Sequence, residues 1–419
     1  MEIEIAKSNF TMVLPEIRLI GDIVMKEKLS TDTEILYRGG QIKGEIMHPE
    51  APAIYPSTAY IMADMDEYDY INSGKGGYFY SRTANPNRDS LSEAISYLEN
   101  GENTVVCSSG MAAISTALLT FANNGNHIVA NKNIYGETIE LFNNMLTRFG
   151  VETTYIDFTD IEAVKNAIRP NTTILYTEII ANPLITVVDI EKIVDIAHKA
   201  NALIMVDSTF TTPFVIKPLD FGVDIVIHSL TKFYNGHSDV TAGSVTASKL
   251  LINKMYSVQL MLGCCLDPNS SWLALRGIRT MGLRVNKQLE NAQLLAEALN
   301  KNSHVCHVNY PSLECHPQHE LAKRIFTNGY GAMISFSVED SRDKVNAFMH
   351  QLKLVKYLGT LGGYRTSIAH PATAFRFDFS PEELVEMGMN EGLIRISVGI
   401  EDVNDLISDF NQALEVFKL

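Results

Sequence analysis

Cysteine is scarce in this chain: there are five residues among 419, an odd number, and no two of them form a Cys-x-x-Cys pair. A disulfide framework needs an even set of cysteines, and a zinc ribbon needs closely spaced pairs. Both kinds of cross-linked domain are therefore excluded. A chain with few thiols that have no sequence partner fits a reducing compartment, so we expect a cytoplasmic protein.

Basic residues are in the minority, with 34 Lys and Arg against 49 Asp and Glu and a formal net charge of −15. Binding to nucleic acid relies on clustered cations, so we expect no nucleic-acid partner. No run of eighteen apolar residues occurs, and the N-terminus, Met-Glu-Ile-Glu-Ile, is acidic where a secretory leader is basic. We expect no membrane span, no signal peptide and a small metabolite as the binding partner.

The chain does have the length and the 46% hydrophobic content that a large core requires. Between residues 90 and 250, short apolar segments such as Thr104–Cys107 and Leu203–Val206 alternate with segments of helical periodicity such as Ala112–Phe121. This alternation predicts an α/β fold with a mostly parallel sheet. After Thr280 a long helical pattern at Leu283–Leu299 precedes a mixture of short elements, which predicts a smaller α+β domain.

We therefore divide the chain into three parts. Residues 1–72 lack strong periodicity and are predicted to form an N-terminal arm. Residues 73–280 are predicted to form the large domain, and residues 281–419 the C-terminal α+β domain.

The most informative stretch runs from Leu203 to Ser248, where two strand-length apolar runs each end in polar side chains. The first run delivers Asp207, and the second delivers Ser229, Thr231 and Lys232. Ligands of parallel sheets bind beyond the carboxyl ends of the strands, so these side chains should converge. Hydroxyl groups suit a phosphate, a carboxylate favours a protonated pyridine nitrogen, and an amine condenses with an aldehyde. Pyridoxal phosphate needs all three.

Two of these residues also have simpler interpretations. Asp207 followed by Ser-Thr is typical of an Asx turn, and a lysine after a strand is often a solvated surface residue.

A separate segment, Gly74-Lys-Gly-Gly77, resembles a phosphate loop but lacks the Ser or Thr after its lysine. Similarly, Cys315-His316-Pro-Gln-His319 matches no closed zinc site, so no metal is expected.

The strand ends Asp207-Ser-Thr-Phe-Thr-Thr-Pro213 and Asp224-Ile-Val-Ile-His-Ser-Leu-Thr-Lys232, with Gly236-His237, resemble the signature of the Cys/Met-metabolism, or trans-sulfuration, family of pyridoxal-phosphate enzymes. The chain departs from that signature at Ser208, Thr211 and Phe233. The resemblance extends from about Ile54 to Glu401. It implies fold type I, with pyridoxal 5'-phosphate bound to Lys232 in the large domain.

The resemblance also implies roles outside the central stretch. In Ser108-Ser-Gly110-Met111, the last two residues would contact the phosphate at a helix N-terminus. Tyr80 and Arg82 would reach the phosphate of the partner subunit, in a homodimer of shared active sites that assembles into a homotetramer whose N-terminal arms embrace neighbouring subunits. Substrate contacts would come from Asn182 and from the carboxylate-binding Arg395, together with Arg365 and Thr366 in the loop Gly362–Ser367.

Tyr135 matches the tyrosine that stacks on the cofactor ring and handles protons at the γ-leaving group. A tyrosine acting as a base near neutral pH needs a pKa below its usual value of about 10, and hence a nearby cation. Arg82 of the partner subunit is the candidate.

The implied activity is γ-elimination or γ-replacement on a sulfur-containing or O-acylated amino acid, as in methionine γ-lyases and O-acylhomoserine sulfhydrylases. Cystathionine γ-lyase and cystathionine γ-synthase are the alternatives. Family members that handle cystathionine usually carry Glu where this chain has Arg365, which would repel the distal ammonium of cystathionine. A non-catalytic pyridoxal-phosphate-binding protein is the alternative from another class, although Tyr135 and Arg395 serve the substrate rather than the cofactor.

Overall fold

The computed structural model describes residues 30–40, 49–376 and 380–418. Seven strands form the larger sheet: β1 (Asn103–Cys107), β2 (His127–Asn131), β3 (Glu152–Ile156), β4 (Thr172–Glu178), β5 (Leu203–Asp207), β6 (Ile225–Ser229) and β7 (Gly243–Ala247). Their order is β1-β7-β6-β5-β4-β2-β3. The strands from β6 to β3 are parallel, and β7 is antiparallel to both of its neighbours. This confirms the predicted mostly parallel sheet.

Successive residues of these strands belong to two separate hydrophobic cores. Ile174 and Ile225 pack into one core, whereas Leu175 and Val226 pack into the other. Because the central strands are buried on both faces, their middle residues are apolar, as in Leu203–Val206 of β5. The helices up to residue 279 span Thr31–Glu34, Met65–Asn72, Pro86–Glu99, Gly110–Phe121, Gly136–Glu140, Ile161–Ala167, Ile190–Lys199, Thr212–Val215, Lys249–Leu262 and Pro268–Arg279, with a 3₁₀ turn at Pro218–Phe221.

The helical pattern at residues 137–149 takes a form that periodicity did not predict. An α-helix at Gly136–Glu140 passes into a π-helix at Leu141–Leu146 and a 3₁₀ turn at Thr147–Phe149. The wider π turn places Leu141 and Leu146, which are five residues apart, in the same core. Gly150 ends the segment with a φ of +76°, as its position predicts.

A second sheet contains β8 (His307–Asn309), β9 (Met333–Ser337), β10 (Lys356–Tyr357), β11 (Ser367–Ala369) and β12 (Leu393–Ser397). Its order is β10-β11-β12-β9-β8, and only β10 and β11 are parallel. The short antiparallel strands confirm the predicted α+β character of this region. Its helices span Met281–Asn300, His319–Ile325, Arg342–Gln351, Pro371–Phe375, Pro381–Glu386 and Val403–Leu414, followed by a 3₁₀ turn at Glu415–Lys418.

The helix Met281–Asn300 contributes to two cores. Val285 and Leu289 lie in the core of the larger sheet, whereas Leu295 and Leu299 pack against the smaller one. The boundaries at residues 72 and 280 stay predictions, and residues 1–29 and 41–48 of the predicted arm lie outside the described residues. In the described part of the chain, no helix is long and apolar enough to cross a membrane.

Candidate active site

Three polar side chains end neighbouring parallel strands at one edge of the larger sheet. Glu178 ends β4, Asp207 ends β5 and Ser229 ends β6, and Glu178 and Asp207 are direct register partners. The structure thus places Asp207 and Ser229 on the edge of the sheet where the sequence predicts that a ligand binds.

The segment Ser109–Met111 lies against the end of β6. Ser109 caps the helix Gly110–Phe121 by accepting a hydrogen bond from the Ala112 N–H at 3.0 Å. A Cβ on Gly110 would lie 2.9 Å from the Ser229 Cβ and 3.0 Å from its Oγ. Only a glycine brings the backbone this close to the Ser229 hydroxyl, and the first N–H groups of a helix attract anions. This cradle, which continues into Met111, fits a phosphate.

The Thr231 hydroxyl is committed to the backbone of a neighbouring segment. It donates to the Ala242 carbonyl at 3.2 Å and accepts from the Ala242 N–H at 3.0 Å. These two bonds fix the turn between Ser229 and Lys232. A phosphate oxygen accepts hydrogen bonds, and the single hydroxyl proton of Thr231 is donated to Ala242, so the contact of Thr231 with the cofactor phosphate stays a prediction.

Asp207 forms an Asx turn and also remains a candidate partner for the pyridine nitrogen, the two interpretations that its sequence context left open. Its Oδ1 accepts a hydrogen bond from the Thr209 N–H at 2.9 Å, which is an Asx turn, and one oxygen of a carboxylate suffices for that turn. Burial raises the pKa of Asp207, while Thr209, His228 and Lys232 oppose the increase. A buried carboxylate of this kind gains from a cationic partner such as a pyridinium nitrogen.

Lys232 is held by a residue 128 positions away in the chain. Its Nζ donates to Thr360 Oγ1 at 3.0 Å. Gly362, with a φ of +75°, passes so close that a Cβ there would lie 2.6 Å from the Phe233 nitrogen. Burial, and secondarily the charge of Arg395, lowers the pKa of Lys232, whereas Asp207 raises it. A lowered pKa increases the fraction of neutral, nucleophilic amine.

Arg395 reaches the site from the smaller sheet. In β12 it alternates with Ile394 and Ile396, which pack into the core, so its side chain projects from the opposite face. Arg395 donates to Asn182 Oδ1 at 3.0 Å, and burial lowers its pKa to about 10. The residue stays cationic at neutral pH and is poised for a carboxylate.

Tyr135 lies at the start of the helix Gly136–Glu140, where its backbone N–H donates to Glu178 Oε1 at 2.7 Å. Its side chain is partly exposed. Burial raises the pKa of Tyr135, and Glu137 and Asp207 raise it further, against an opposing effect of Arg395. Within one chain this direction is opposite to the decrease that we expected for a base, because burial and then the nearby carboxylates outweigh the single cation.

Four predicted residues are not brought into this cluster by the chain's own fold. Arg82 donates to the Leu260 carbonyl at 3.0 Å and lies 5.5 Å from the ring centre of the exposed Tyr80. The Thr366 hydroxyl donates to Glu401 Oε2 and accepts from the Gly399 N–H, both at 2.8 Å. Arg365 is exposed and stacks on Tyr364, with 5.2 Å between the guanidinium and the ring centre.

Three residues of the site escaped sequence reasoning. Glu178 lies beside Asp207 and carries a pKa well above its usual range, because it is buried and faces that second carboxylate. Thr209 links Asp207 to β6, because its hydroxyl oxygen accepts a hydrogen bond from the Ser229 N–H at 2.9 Å while its own N–H donates to Asp207. Thr360 accepts a hydrogen bond from the Lys232 amine. Strand-end position is a signal that could have revealed Glu178. Among the described residues, no three His, Cys, Asp or Glu side chains group together as a metal ion requires.

The arrangement fits pyridoxal phosphate at each functional group of that cofactor. The cradle of Gly110 and Ser229 suits the phosphate, the buried Asp207 suits the pyridine nitrogen, and Lys232 offers the amine for the aldehyde. The fold and this donor set together define a pyridoxal-phosphate-dependent enzyme of fold type I.

Comparison with known proteins agrees with this class. The family model for the Cys/Met metabolism PLP-dependent enzymes matches residues 32–415. The chain is 45% identical to cystathionine gamma-lyase of Bacillus subtilis (strain 168), over 81% of this chain and 89% of that protein. It is 42% identical to L-methionine gamma-lyase of Fusobacterium nucleatum subsp. nucleatum, over 81% and 87%.

Among solved structures, cystathionine gamma synthase from Xanthomonas oryzae pv. oryzae, in complex with aminoacrylate and cysteine, aligns with a TM-score of 0.88 and 33% identity. The alignment covers 94% of this chain and 99% of that one. The chain belongs to the Cys/Met-metabolism family of pyridoxal-phosphate-dependent enzymes.

Proposed function

We propose that this enzyme catalyses γ-elimination or γ-replacement on a sulfur-containing or O-acylated L-amino acid, with L-methionine and L-homocysteine as the favoured substrates. The observation that carries the proposal is the convergence of Lys232, Tyr135 and Arg395 on the buried Asp207. These residues come from separate segments of the chain, and each perturbs the pKa of another. Similarity to an L-methionine gamma-lyase supports the choice of substrate.

In this proposal Arg395 binds the substrate α-carboxylate. Its planar guanidinium offers two parallel donors, and the bond to Asn182 fixes the orientation of that plane. Holding the carboxylate in this way orients the Cα–H bond of the substrate toward Lys232. Binding and orientation are thus supplied by the smaller sheet, and the proton-transfer group by the larger one.

Bound pyridoxal phosphate supplies an electron sink for negative charge at the substrate Cα. Lys232 Nζ accepts the Cα proton, and its lowered pKa makes the neutral amine available for this step. Tyr135, whose pKa Arg395 influences, handles the proton at the departing γ-substituent. Its phenol is protonated at neutral pH within one chain, so it acts as a donor to the leaving group.

We further propose a homodimer with shared active sites that assembles into a homotetramer in the cytoplasm. Arg82 and Tyr80 lie on the surface beside the end of the helix Lys249–Leu262, where Met261 is 78% exposed. A partner subunit seated there would cover this apolar surface and bring its own site within reach of Arg82. The sequence contains no Cys-x-x-Cys pair and an odd number of cysteines, which supports a reducing compartment.

Cystathionine is the second candidate substrate, because the chain is 45% identical to a cystathionine gamma-lyase. The test is kcat/KM for L-methionine, L-homocysteine, L-cystathionine and O-acetyl-L-homoserine, each with and without added sulfide. We expect methionine to yield a 2-oxo acid, ammonia and a thiol, at a higher kcat/KM than cystathionine. If no γ-substituted amino acid yields a 2-oxo acid or a replacement product, the proposed function is wrong.

A further inference from the structure

Two cysteines lie where the larger sheet meets the phosphate cradle. Cys107 is the last residue of β1 and directly precedes Ser108-Ser109-Gly110. The segment after the helix Lys249–Leu262 runs beside it, with Cys265 as the antiparallel partner of Cys107 and with the Ser108 N–H donating to the Cys264 carbonyl at 2.9 Å. Backbone pairing thus holds Cys107 and Cys264 in adjacent chain segments.

The thiols of Cys107 and Cys264 meet around one hydroxyl group. Thr116 Oγ1 lies 3.4 Å from the Cys264 sulfur and 3.9 Å from the Cys107 sulfur. Gln259 approaches the Cys107 sulfur to 3.7 Å through its side-chain nitrogen. Cys107 lies in the apolar core and Cys264 packs against it, so the two thiols share this small polar group within apolar surroundings.

The two thiols differ in exposure and in acidity. Cys107 is fully buried, whereas Cys264 is partly exposed. The neighbouring Cys107 thiol lowers the pKa of Cys264 to about 6, and the Cys264 thiol together with burial raises the pKa of Cys107. Cys264 is therefore a reachable thiolate at neutral pH, and Cys107 is a protonated thiol directly behind it.

The other cysteines serve as internal references. Cys265 is the neighbour of Cys264 in sequence, but its sulfur lies near the Gly263 carbonyl, at 3.9 Å. Cys306 and Cys315 are exposed on the surface. In the described part of the chain, the shared contact with Thr116 is formed by Cys107 and Cys264 alone.

We propose that Cys107 and Cys264 form a reversible thiol–disulfide pair that responds to hydroperoxides. The Cys264 thiolate attacks the terminal peroxide oxygen, the O–O bond breaks, and an alcohol or water leaves after protonation. The Cys107 sulfur then attacks the resulting sulfenic acid, forms the S–S bond and releases water. Two thiols lose two electrons and the hydroperoxide gains them, so the step balances.

Oxidation of this pair would act on the cofactor through the phosphate cradle. A disulfide requires an S–S distance of about 2.05 Å, which is shorter than any contact between thiols. The chain continues from Cys107 directly into Ser108–Gly110, where Gly110 abuts Ser229 and Gly243 leaves space for the Ser109 carbonyl only because it lacks a side chain. Because these backbone segments are so closely packed, a displacement of Cys107 also moves the phosphate-binding N–H groups.

The first test treats the holoenzyme with stoichiometric hydrogen peroxide, followed by alkylation and peptide mass mapping. We expect a linked Cys107–Cys264 peptide in the wild type and in the matched control Cys265→Ser, but not in Cys264→Ser. Cys306 and Cys315 should remain alkylated. The proposal fails if the disulfide joins Cys265, if Cys264 is oxidised without linkage to Cys107, or if the exposed cysteines react equally fast.

The second test follows loss of bound cofactor from the oxidised holoenzyme by absorbance after gel filtration. We expect release at least threefold faster than from the reduced enzyme, reversed by dithiothreitol and absent in peroxide-treated Cys264→Ser. Cys264 is only partly buried, so this variant keeps the fold when a Cys107 variant does not. Equal release from oxidised and reduced enzyme would separate the disulfide from the cradle and overturn the proposed consequence.

Discussion

Glu178 and Asp207 lie side by side at the ends of β4 and β5, so two carboxyl groups share one edge of the sheet, where Glu178 is buried. Desolvation raises the pKa of both, and the proximity of Asp207 raises that of Glu178 further. The pKa of Glu178 is raised the more strongly of the two, and Asp207 is the carboxyl group that we expect to meet a pyridinium cation. The pair separates the roles of two identical functional groups by environment.

This pairing makes stability depend on pH in a defined direction. The ordinary carboxyl pKa of Glu178 is 4.5, and above that pH the native state retains a proton that the unfolded state has lost. The free energy of unfolding therefore falls as pH rises from 4.5 toward the raised pKa. The decline is at most about 1.4 kcal/mol per pH unit, and replacing Glu178 by Gln removes it.

Urea unfolding of the cofactor-free wild type and Glu178→Gln at several pH values between 5 and 8 measures the effect. The variant should gain stability relative to the wild type as pH rises. Glu320→Gln, at a side chain that is 85% exposed, is the matched control and should show no such trend. Parallel curves for Glu178→Gln and the wild type would refute the raised pKa.

Arg395 offers a test of substrate orientation. In Arg395→Lys the positive charge remains but the bidentate donor pair is lost. We expect KM for methionine to rise about 10- to 100-fold, corresponding to roughly 1–3 kcal/mol, with the cofactor absorbance spectrum unchanged. The exposed Arg324→Lys serves as the control. An unchanged KM in Arg395→Lys would show that the substrate carboxylate binds elsewhere.

The proposed sharing of active sites between two subunits predicts complementation between inactive variants. Arg82→Ala and Lys232→Ala should each be inactive alone, because one loses a phosphate contact in the neighbouring site and the other loses the amine. Random mixed dimers carry one intact site, so an equal mixture should recover about a quarter of wild-type activity. Mixing Lys232→Ala with Lys232→Arg should recover none. Mixed dimers that form without activity would contradict shared sites.

Arg365 predicts the preference at the distal end of the substrate. Its loop passes against Lys232 at Gly362, three residues before the exposed Arg365. Arg365→Glu should raise kcat/KM for cystathionine relative to methionine, about tenfold, because a carboxylate attracts the distal ammonium. Arg365→Gln separates loss of repulsion from gain of attraction. If neither variant changes the ranking, the side chain has no part in selectivity.

Much of this architecture is visible in the sequence because its causes are local. Strands buried on both faces appear in the sequence as apolar runs. The polar residues that follow two of these runs, Asp207, Ser229 and Lys232, can therefore be identified from the sequence alone. The family resemblance adds Asn182 and Arg395, which the fold brings to 3.0 Å across two sheets.

The parts that sequence did not reveal depend on long-range register. Glu178 belongs to the site only because β4 and β5 pair it with Asp207. Thr360 accepts a hydrogen bond from Lys232, which lies 128 residues away in the chain. The Thr366 hydroxyl is engaged by Glu401, a contact that no local pattern indicates. Tyr135 shows the limit most clearly, since its pKa depends on the balance of charges from several segments.

The central claim is that Lys232 holds pyridoxal phosphate covalently at the carboxyl edge of the larger sheet. Borohydride reduction of the purified enzyme, followed by proteolysis and peptide mass mapping, tests it directly. We predict a single reduced cofactor adduct on Lys232, lost in Lys232→Ala and retained in a variant of the exposed Lys199. An adduct on another lysine, or no adduct in cofactor-saturated enzyme, would contradict the account.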